Sequence, residues 1–517
     1  MKKFNKGELI SLLNNIINKT FKEIDTSNVL HRAIDNPKIT GIAGDIIEQS
    51  VFGYNPNSEQ LPDIIIDNEE YELKTTGLRK NVNKNKDTEY TAKENITITA
   101  VSLKKIINQE FETSFFWHKA SKILFVLYEY SSNKPVPALE YGNFKIINYF
   151  INEFSPEDKS LLKEDWLIVR DYLRDVDDNY KNNNDEEELK EGYANLSTKI
   201  NKILICIDTA PKYPNPPRFR FKKKFINTII QAHLHPEYYD DFDSSIKTPD
   251  DILKKCKMLT ILHKNKTVYD LLLELDLDKY INNDKELKNI TEVIIINMFG
   301  GKSKSLSKIE VFEKFGYIPK TIRFNSKWKP REDMKLFSVN FDSYTLNSSD
   351  EDLCYENSEI YEYFNNTRFM FMVFQESTIE EINSNEIFRN KQYNERDMIT
   401  NKFIGFVPVN ISNYDFNIEG EKTWNYILDL VQNNKFKVQE KVNLKGEVIV
   451  NKKSNNFQEV NNLPKSKSFN FFVRGGASTS KDKNETLNGY QIMKQYYWFH
   501  KKYISEIILS QKFILEE

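Results

Sequence analysis

The apolar positions of this chain fall into helical and strand periods. In residues 7–35, Leu9, Leu12, Leu13, Ile16, Ile17 and Phe21 recur at three- and four-residue spacings, which predicts a helix. Pro37 and Gly41 then mark a turn, and a helix beginning near Gly44 carries Glu48. Residues 93–107 and 121–130 are apolar enough to read as central strands. Residues 158–175 read as an amphipathic helix around Trp166, and the acidic, Asn-rich run Asp175 to Glu191 as a solvated surface excursion. From Pro214 to Phe225, Arg218, Arg220, Lys222, Lys223 and Lys224 interleave with Phe219, Phe221 and Phe225 ahead of a helix, Ile226 to Ala232. Such a strand offers cations to phosphates while its aromatic face packs inward; it reads equally well as a solvated edge strand carrying protective charges. The acidic, turn-rich stretch 236–252 is read as a linker. The division is then 1–240, a linker at 241–260, and 261–517.

Alternation carries the most information between Asp63 and Lys74. Residues two apart on a strand share a face, so Glu72 and Lys74 project together while Tyr71 and Leu73 face a core. Asp63 reaches the same place if the chain forms a hairpin over Asp67-Asn68. Two carboxylates suffice to hold a hard cation such as Mg²⁺, whose remaining positions go to water and phosphate. A lysine beside them can orient the attacking water. The Glu-x-Lys triplet alone is a common surface charge pattern. Asp63, the glycine-bearing element before it and the basic elements after it give it weight.

The second half echoes the first. Phe52-Gly-Tyr54 returns as Phe315-Gly-Tyr317, and Lys122-Ile-Leu-Phe-Val-Leu-Tyr-Glu as Arg368-Phe-Met-Phe-Met-Val-Phe-Gln. Trp166 has a counterpart in Trp424, and Phe219 to Ile230 aligns without a gap with Tyr497 to Ile508. The carboxylates do not return. Val311 stands where Glu48 does, and after Tyr317 none appears before Glu332 and Asp333. Lys302, Lys304, Lys320, Arg323, Lys327, Lys329 and Arg331 make that region cationic instead. The second copy reads as a domain that binds a polyanion without cutting it.

Size and composition set bounds. At 517 residues the chain exceeds one compact core. A net charge of −3 excludes a basic nucleic-acid coat, so any DNA surface is a local patch. Three cysteines, Cys206, Cys256 and Cys354, are odd in number and widely spaced, which excludes a disulfide framework or zinc pattern and suits a reducing cytoplasm. The N-terminus reads as neither signal peptide nor membrane span. His233 and His235 are the only close histidine pair.

Taken in order, Gly41-Ile-Ala-Gly44…Glu48, Asp63, Glu72-Leu-Lys74-Thr75, Glu112-Thr-Ser…His118-Lys119 and Phe219…Lys223-Lys224-Phe225 resemble the mismatch-repair endonuclease MutH, and more closely the two-domain restriction endonucleases of the Sau-three-A group. The likeness runs through residues 38–232 and returns without catalytic residues in 290–508. It implies an α/β (α+β mixed sheet) architecture of two tandem PD-(D/E)xK domains, the second catalytically empty. It implies Mg²⁺-dependent hydrolysis of double-stranded DNA, with GATC as the expected site. Asp63 and Glu72 would be metal ligands, Lys74 would position the nucleophile, Glu48 would be an additional helix carboxylate, and Lys119 would lie near the scissile phosphate. Phe472-Val-Arg474 through Lys481 resembles the family's groove-reading loop, which makes Arg474 and Lys481 candidate DNA contacts beside Lys212, Arg218, Arg220 and Lys223. The family's helix lysine falls on Thr40 here, with Lys38 out of register, and the loop around Asp208 to Tyr213 is short. The expectation is a cytoplasmic type II restriction endonuclease that engages one or two site copies, dimerises on DNA and has a methyltransferase as genetic partner. A strand-nicking repair enzyme and a non-catalytic DNA-binding regulator are the alternatives.

Overall fold

The structure, a computed structural model, describes the chain except residues 1, 55–61, 83–87, 133–135, 237–245, 282–288, 303–309, 346–352, 366, 411–415, 444, 451–456, 477–482, 484 and 512–517. It divides into two compact units. The first comprises Met1–Asp240, Ser244–Thr248 and Lys308–Gly316; the second comprises Asp241–Asp243, Pro249–Ser307 and Tyr317–Glu517. Residues 249–263, partly assigned above to a linker, form a helix packed on a strand of the second unit, where Phe406 N–H donates to Thr260 Oγ1 at 3.2 Å. The chain also returns to the first unit later: helix Glu310–Lys314 lies against helix Lys223–Leu234, tied by Lys314 to Asp158 at 2.6 Å.

In the first unit, strands β1 (Lys2–Phe4), β2 (Ile64–Ile66), β3 (Glu69–Val82), β6 (Lys122–Glu129) and β7 (Lys145–Glu153) form a mixed sheet in the order β1-β2-β3-β6-β7, and β4 (Thr88–Ala92) pairs with β3. β3 and β6 run parallel; β2–β3 and β6–β7 are antiparallel. The β2–β3 connection is the hairpin expected over Asp67-Asn68. Both residues have positive φ (49° and 71°), the signature of a two-residue type I′ turn whose twist matches the flanking strands. Asn and Asp tolerate that conformation better than other side-chain-bearing residues. β6 is central and buried from Ile123 to Leu127. Its Leu124 and Val126 join Tyr71, Leu73, Ile64 and Ile66 in one core with the N-terminal helices. Each such side chain contributes about 1.5–3 kcal/mol on burial.

A second sheet, β5 (Ile96–Ala100), β9 (Arg218–Phe221) and β8 (Ile207–Asp208), is antiparallel in the order β5-β9-β8. Three sequence expectations change here. Residues 7–35 are four short helical pieces, because the chain turns at Asn18 (φ 65°) and Asn28 (φ 58°). Residues 93–107 give only β5, on an edge of the small sheet, before turning into a 3₁₀ segment. The Asp175–Glu191 excursion is helical: helix Pro156–Asn183 continues through it, and Asp185 caps helix Glu186–Thr198 by accepting from the N–H groups of Glu187 and Glu188. Three glutamates in that first turn suit the positive end of the helix dipole.

The second unit repeats this plan. β10 (Tyr317–Phe324) runs parallel to β12 (Arg368–Gln375), which is antiparallel to β13 (Lys402–Asn410), as β3, β6 and β7 are arranged. β11 (Met334–Ser338), β15 (Gln495–Phe499) and β14 (Phe471–Gly475) form an antiparallel sheet in the order β11-β15-β14, as β5, β9 and β8 do. Register fixes the correspondence. Glu72 and Lys74 lie opposite Ile123 and Phe125; Ile318 and Lys320 lie opposite the matching Phe369 and Phe371. Tyr71-Glu-Leu-Lys-Thr75 therefore corresponds to Tyr317-Ile-Pro-Lys-Thr321, and Tyr317 matches Tyr71 rather than Tyr54. Among the described residues, no helix is long and apolar enough to cross a membrane.

The turn makes a direct test possible. Asn68→Val forces a β-branched residue into positive φ and is expected to cost about 1–2 kcal/mol, read as a lower thermal midpoint, whereas Asn68→Gly keeps or raises it. An unchanged midpoint for the valine variant would contradict the assigned turn.

Candidate active site

Glu72 is the anchor. Its carboxylate is 2% exposed, on the buried middle of the main sheet's β3. Lys74, two residues on along the same face, places Nζ 2.7 Å from Glu72 Oε1. Lys119 arrives from the short helix Phe115–Ala120, with Nζ 3.2 Å from Oε1 and 3.0 Å from Oε2; only the first contact has hydrogen-bond geometry. That helix is set by Ser114, a buried N-cap that accepts from Trp117 N–H at 3.1 Å and donates to Phe111 O at 2.7 Å. The rest of the Glu-Thr-Ser…His-Lys block docks it: His118 meets Glu70 at 2.6 Å and Glu112 meets Lys163 at 2.7 Å.

Asp63 ends the approach to β2. Its N–H donates to Tyr71 O at 3.0 Å, and its Oδ2 accepts from Leu73 N–H at 2.9 Å. The hairpin thus clips this carboxylate to β3 between the positions of Glu72 and Lys74. Burial, then the charge of Glu72, push the Asp63 carboxyl above its usual range. Glu48 lies on a π-helical turn, Ile47–Val51, that extends helix Ile42–Ile46; such turns recur at functional sites. Burial first, then Asp63, then Asp45, raise Glu48 to about 7.

Tyr54 was missed in the sequence as a site residue; the Phe-Gly-Tyr element was read there only as a repeat, which the register does not bear out. Its N–H donates to Glu48 O at 3.0 Å, and its ring stacks on Phe52 at 6.5 Å. The hydroxyl is buried with no hydrogen-bond partner among the described residues, in the field of Glu48, Asp63 and Glu72.

These residues fit a divalent cation. The charges of Asp63 and Glu72 oppose ionisation of Glu48, and that of Glu72 opposes ionisation of Asp63; a cation relieves both, and a buried hydroxyl without a partner among the described residues faces them. Among the described residues, no three His, Cys, Asp or Glu side chains are gathered into a ready metal cage. Asp63 and Glu72 offer the one or two carboxylates that Mg²⁺ commonly takes alongside water and phosphate.

Among the described residues, the second unit does not repeat the Glu-x-Lys pair on its matching strand. Ile318 stands in the place of Glu72. Pro319 stands in that of Leu73 and has no N–H to hold an aspartate. Lys320 is retained and half-buried: burial pushes it down, with Glu292 opposing, and Nζ donates to Lys335 O at 3.1 Å. Two cations of its basic stretch are also held internally. Arg331 pairs with the buried Glu376, and Arg323 lies 3.5 Å from Glu332.

The candidate DNA contacts divide. Lys212 and Arg218 are exposed, and Lys223 is half-buried at a helix start, its N–H donating to Asn95 Oδ1 at 2.8 Å. Arg220 is a structural tie: it grips Asp208 with two hydrogen bonds, 2.7 and 2.8 Å, across β8–β9. In the second unit, Arg474 is half-exposed on β14; Lys481 lies outside the described residues.

A mixed sheet whose hairpin clips an aspartate beside a Glu-x-Lys strand defines a restriction-endonuclease-like domain of the MutH type. Residues 52–165 match the family model described as DNA mismatch repair enzyme MutH, a stretch that contains Asp63, Glu72, Lys74 and Lys119 and begins just after Glu48. The chain is also 25% identical over 359 residues to the type II restriction enzyme Sau3AI of Staphylococcus aureus, a match covering 64% of this chain and 66% of that enzyme. The chain thus spans just under two thirds of that relative's length. By these two matches the chain is similar to the MutH-like enzymes of the Sau3AI group.

Glu48 gives a pH test on metal-free protein. Its folded-state pKa is raised to about 7, so the folded state holds a proton that the unfolded chain has already released. Its contribution is favourable at low pH and is lost as pH rises through 7. Glu48→Gln is expected to match wild type near pH 5 and to melt higher at pH 8, by about 1 kcal/mol after allowance for solvent screening. Thermal melts in chelator across that range check it; equal melting at pH 8 would contradict it.

Proposed function

We propose that this chain is a type II restriction endonuclease that hydrolyses phosphodiester bonds of double-stranded DNA at a short site, with GATC as the expected sequence. The observation that carries this reading is the juxtaposition of Asp63, Glu72 and Lys74 on one hairpin, with Lys119 converging on Glu72. Mg²⁺, when bound, would supply a water of lowered pKa and positive charge for the scissile phosphate. Asp63 and Glu72 would hold it. Glu72 lies between two ammonium groups, and Asp63 is kept in place by the Leu73 N–H. Lys74 is placed to orient the attacking water, and Lys119 to meet the phosphate. Tyr54 offers an otherwise unused O–H donor to a carboxylate or water of the site. Cleavage of this kind leaves a 5′-phosphate.

The second unit, with Ile318 and Pro319 at the catalytic positions, is read as a DNA-binding module that engages a further copy of the site. Dimerisation on DNA, a cytoplasmic setting and a partner methyltransferase follow from the same reading. Strand nicking is the second reading, favoured by the repair-enzyme description of the family matching residues 52–165.

Incubation of the full chain with supercoiled plasmid and Mg²⁺ tests both. Linear product with mapped recurrent ends is expected; nicked circles alone would favour the second reading, and untouched plasmid across a range of salt would refute both. Asp63→Ala and Lys74→Ala should each lower cleavage at least about 10²-fold. Variants that cut like wild type would overturn the site assignment. Tyr54→Phe should lower cleavage about 10-fold, an effect on the order of one lost hydrogen bond to a charged group, with the thermal midpoint unchanged. Full activity would remove the hydroxyl from the site.

A further inference from the structure

In the first unit, helix Lys223–Leu234 meets the segment from β4 to β5 along a seam of side-chain amides. Lys223, Asn227 and Gln231 lie four residues apart, and so on one face of the helix. Lys223 N–H donates to Asn95 Oδ1 at 2.8 Å, Asn227 Oδ1 accepts from Ala92 N–H at 2.7 Å, and Gln231 Nε2 donates to Tyr90 O. Asn227 and Gln231 are buried, so those two bonds serve the fold alone. β4 pairs with β3, the strand of Glu72 and Lys74, and the seam therefore sets this helix against that strand.

Asn95 differs from the other two. It is half-buried at the end of the seam, and its amide serves two elements at once. Oδ1 takes the first N–H of the helix, whose N-cap Lys222 supplies no side-chain cap; such N–H groups have no partner within a helix. Nδ2 donates to Asp208 Oδ2 at 2.6 Å. An N–H partner on one side and a carboxylate on the other fix which end of the amide is oxygen. Asp208 also holds Arg220, and it ends β8 at the root of the loop that carries the exposed Lys212. That loop is closed at its base: Arg218 N–H donates to Ala210 O at 3.2 Å, and Ser197 Oγ donates to Thr209 O at 2.9 Å.

One neutral side chain thus joins two elements that each carry a cation, Lys212 on the loop and Lys223 at the helix start. We propose that Asn95 is a positioning residue for DNA engagement: it sets Lys212 and Lys223 relative to each other and to the strand of Glu72 and Lys74, so that both meet phosphates of the duplex being cut. The proposal rests on the reading of the first unit as a DNA-cutting domain and deepens it. Asn95 has no charge and releases no counterion of its own. Any salt dependence that disappears with it belongs to the cations it places.

Steady-state cleavage of supercoiled plasmid by the full chain with Mg²⁺, across a range of NaCl, gives KM, kcat and the slope of log(kcat/KM) against log salt. Asn95→Ala is expected to raise KM about 10-fold with kcat within about 2-fold of wild type. The slope should become shallower by about 1, the share of one phosphate contact. Asn95→Asp sets a second carboxylate against Asp208 and should do the same. Adding Asp208→Asn remakes that hydrogen bond with donor and acceptor exchanged. The double variant should bring KM back to within about 3-fold of wild type and restore the slope. Gln231→Met, at the far end of the seam, should lower the thermal midpoint and leave KM and slope unchanged.

Wild-type KM and slope in Asn95→Ala would overturn the proposal. A raised KM with an unchanged slope would mark Asn95 as a brace or a direct contact and overturn it as well. An equal rise in KM for Gln231→Met would give the helix's placement to the whole seam and overturn the role of Asn95. A double variant no better than Asn95→Asp would contradict the link through Asp208; that comparison carries the test if Asn95→Ala fails to fold. Plasmid left uncut by the wild-type chain would instead refute the reading of the first unit, and the proposal with it.

Discussion

A buried carboxylate held between two lysines from different elements is the constraint on which the first unit turns. Glu72 is almost wholly enclosed, and an unpaired charge there would cost several kcal/mol. Lys74 comes from the same strand and Lys119 from the helix that leads into β6. That arrangement ties the hairpin, the helix and the parallel β3–β6 pair to one point. Neighbouring pairs brace the junction: Glu70 with His118, and Glu69 with Lys122 at 2.6 Å. The parts proposed to organise the chemistry are thus also parts that close the fold.

The second unit shows what remains when that constraint is relaxed. Its strands keep the order and directions of the first, so the architecture does not depend on the carboxylates. Ile318 removes the buried charge, and Pro319 removes the N–H that would hold an aspartate. Proline is tolerated because β10 lies at the edge of its sheet. Lys320 persists without the matching carboxylate, Ile318 standing in its place, and is half-buried. On the proposed reading, the other sheet of the second copy serves recognition, and there Arg474 lies 5.1 and 5.0 Å from the rings of Phe472 and Trp498.

Much of the first unit was legible in the sequence because period-two patterns are local. Tyr71 and Leu73 point to the core, Glu72 and Lys74 to the site, and Asp67-Asn68 makes the turn. Longer-range features were not legible. The break of residues 7–35 depends on positive-φ asparagines that periodicity does not register. Arg220 looked like a phosphate contact until the fold placed Asp208 across from it. The return of residues 310–314 to the first unit is purely tertiary. Tyr54 came to notice only because burial leaves its hydroxyl without a partner among the described residues.

The central claim is that one centre, built around Glu72, does all the cutting while the second unit only holds DNA. Single-turnover cleavage of an end-labelled duplex by the full-length Glu72→Gln variant, with DNA retention measured on the same samples, tests it most directly. The account predicts no cutting of either strand above background while the variant still retains the duplex. Cutting of either strand at a rate within about 10-fold of wild type, a barrier change of only about 1.4 kcal/mol, would contradict it.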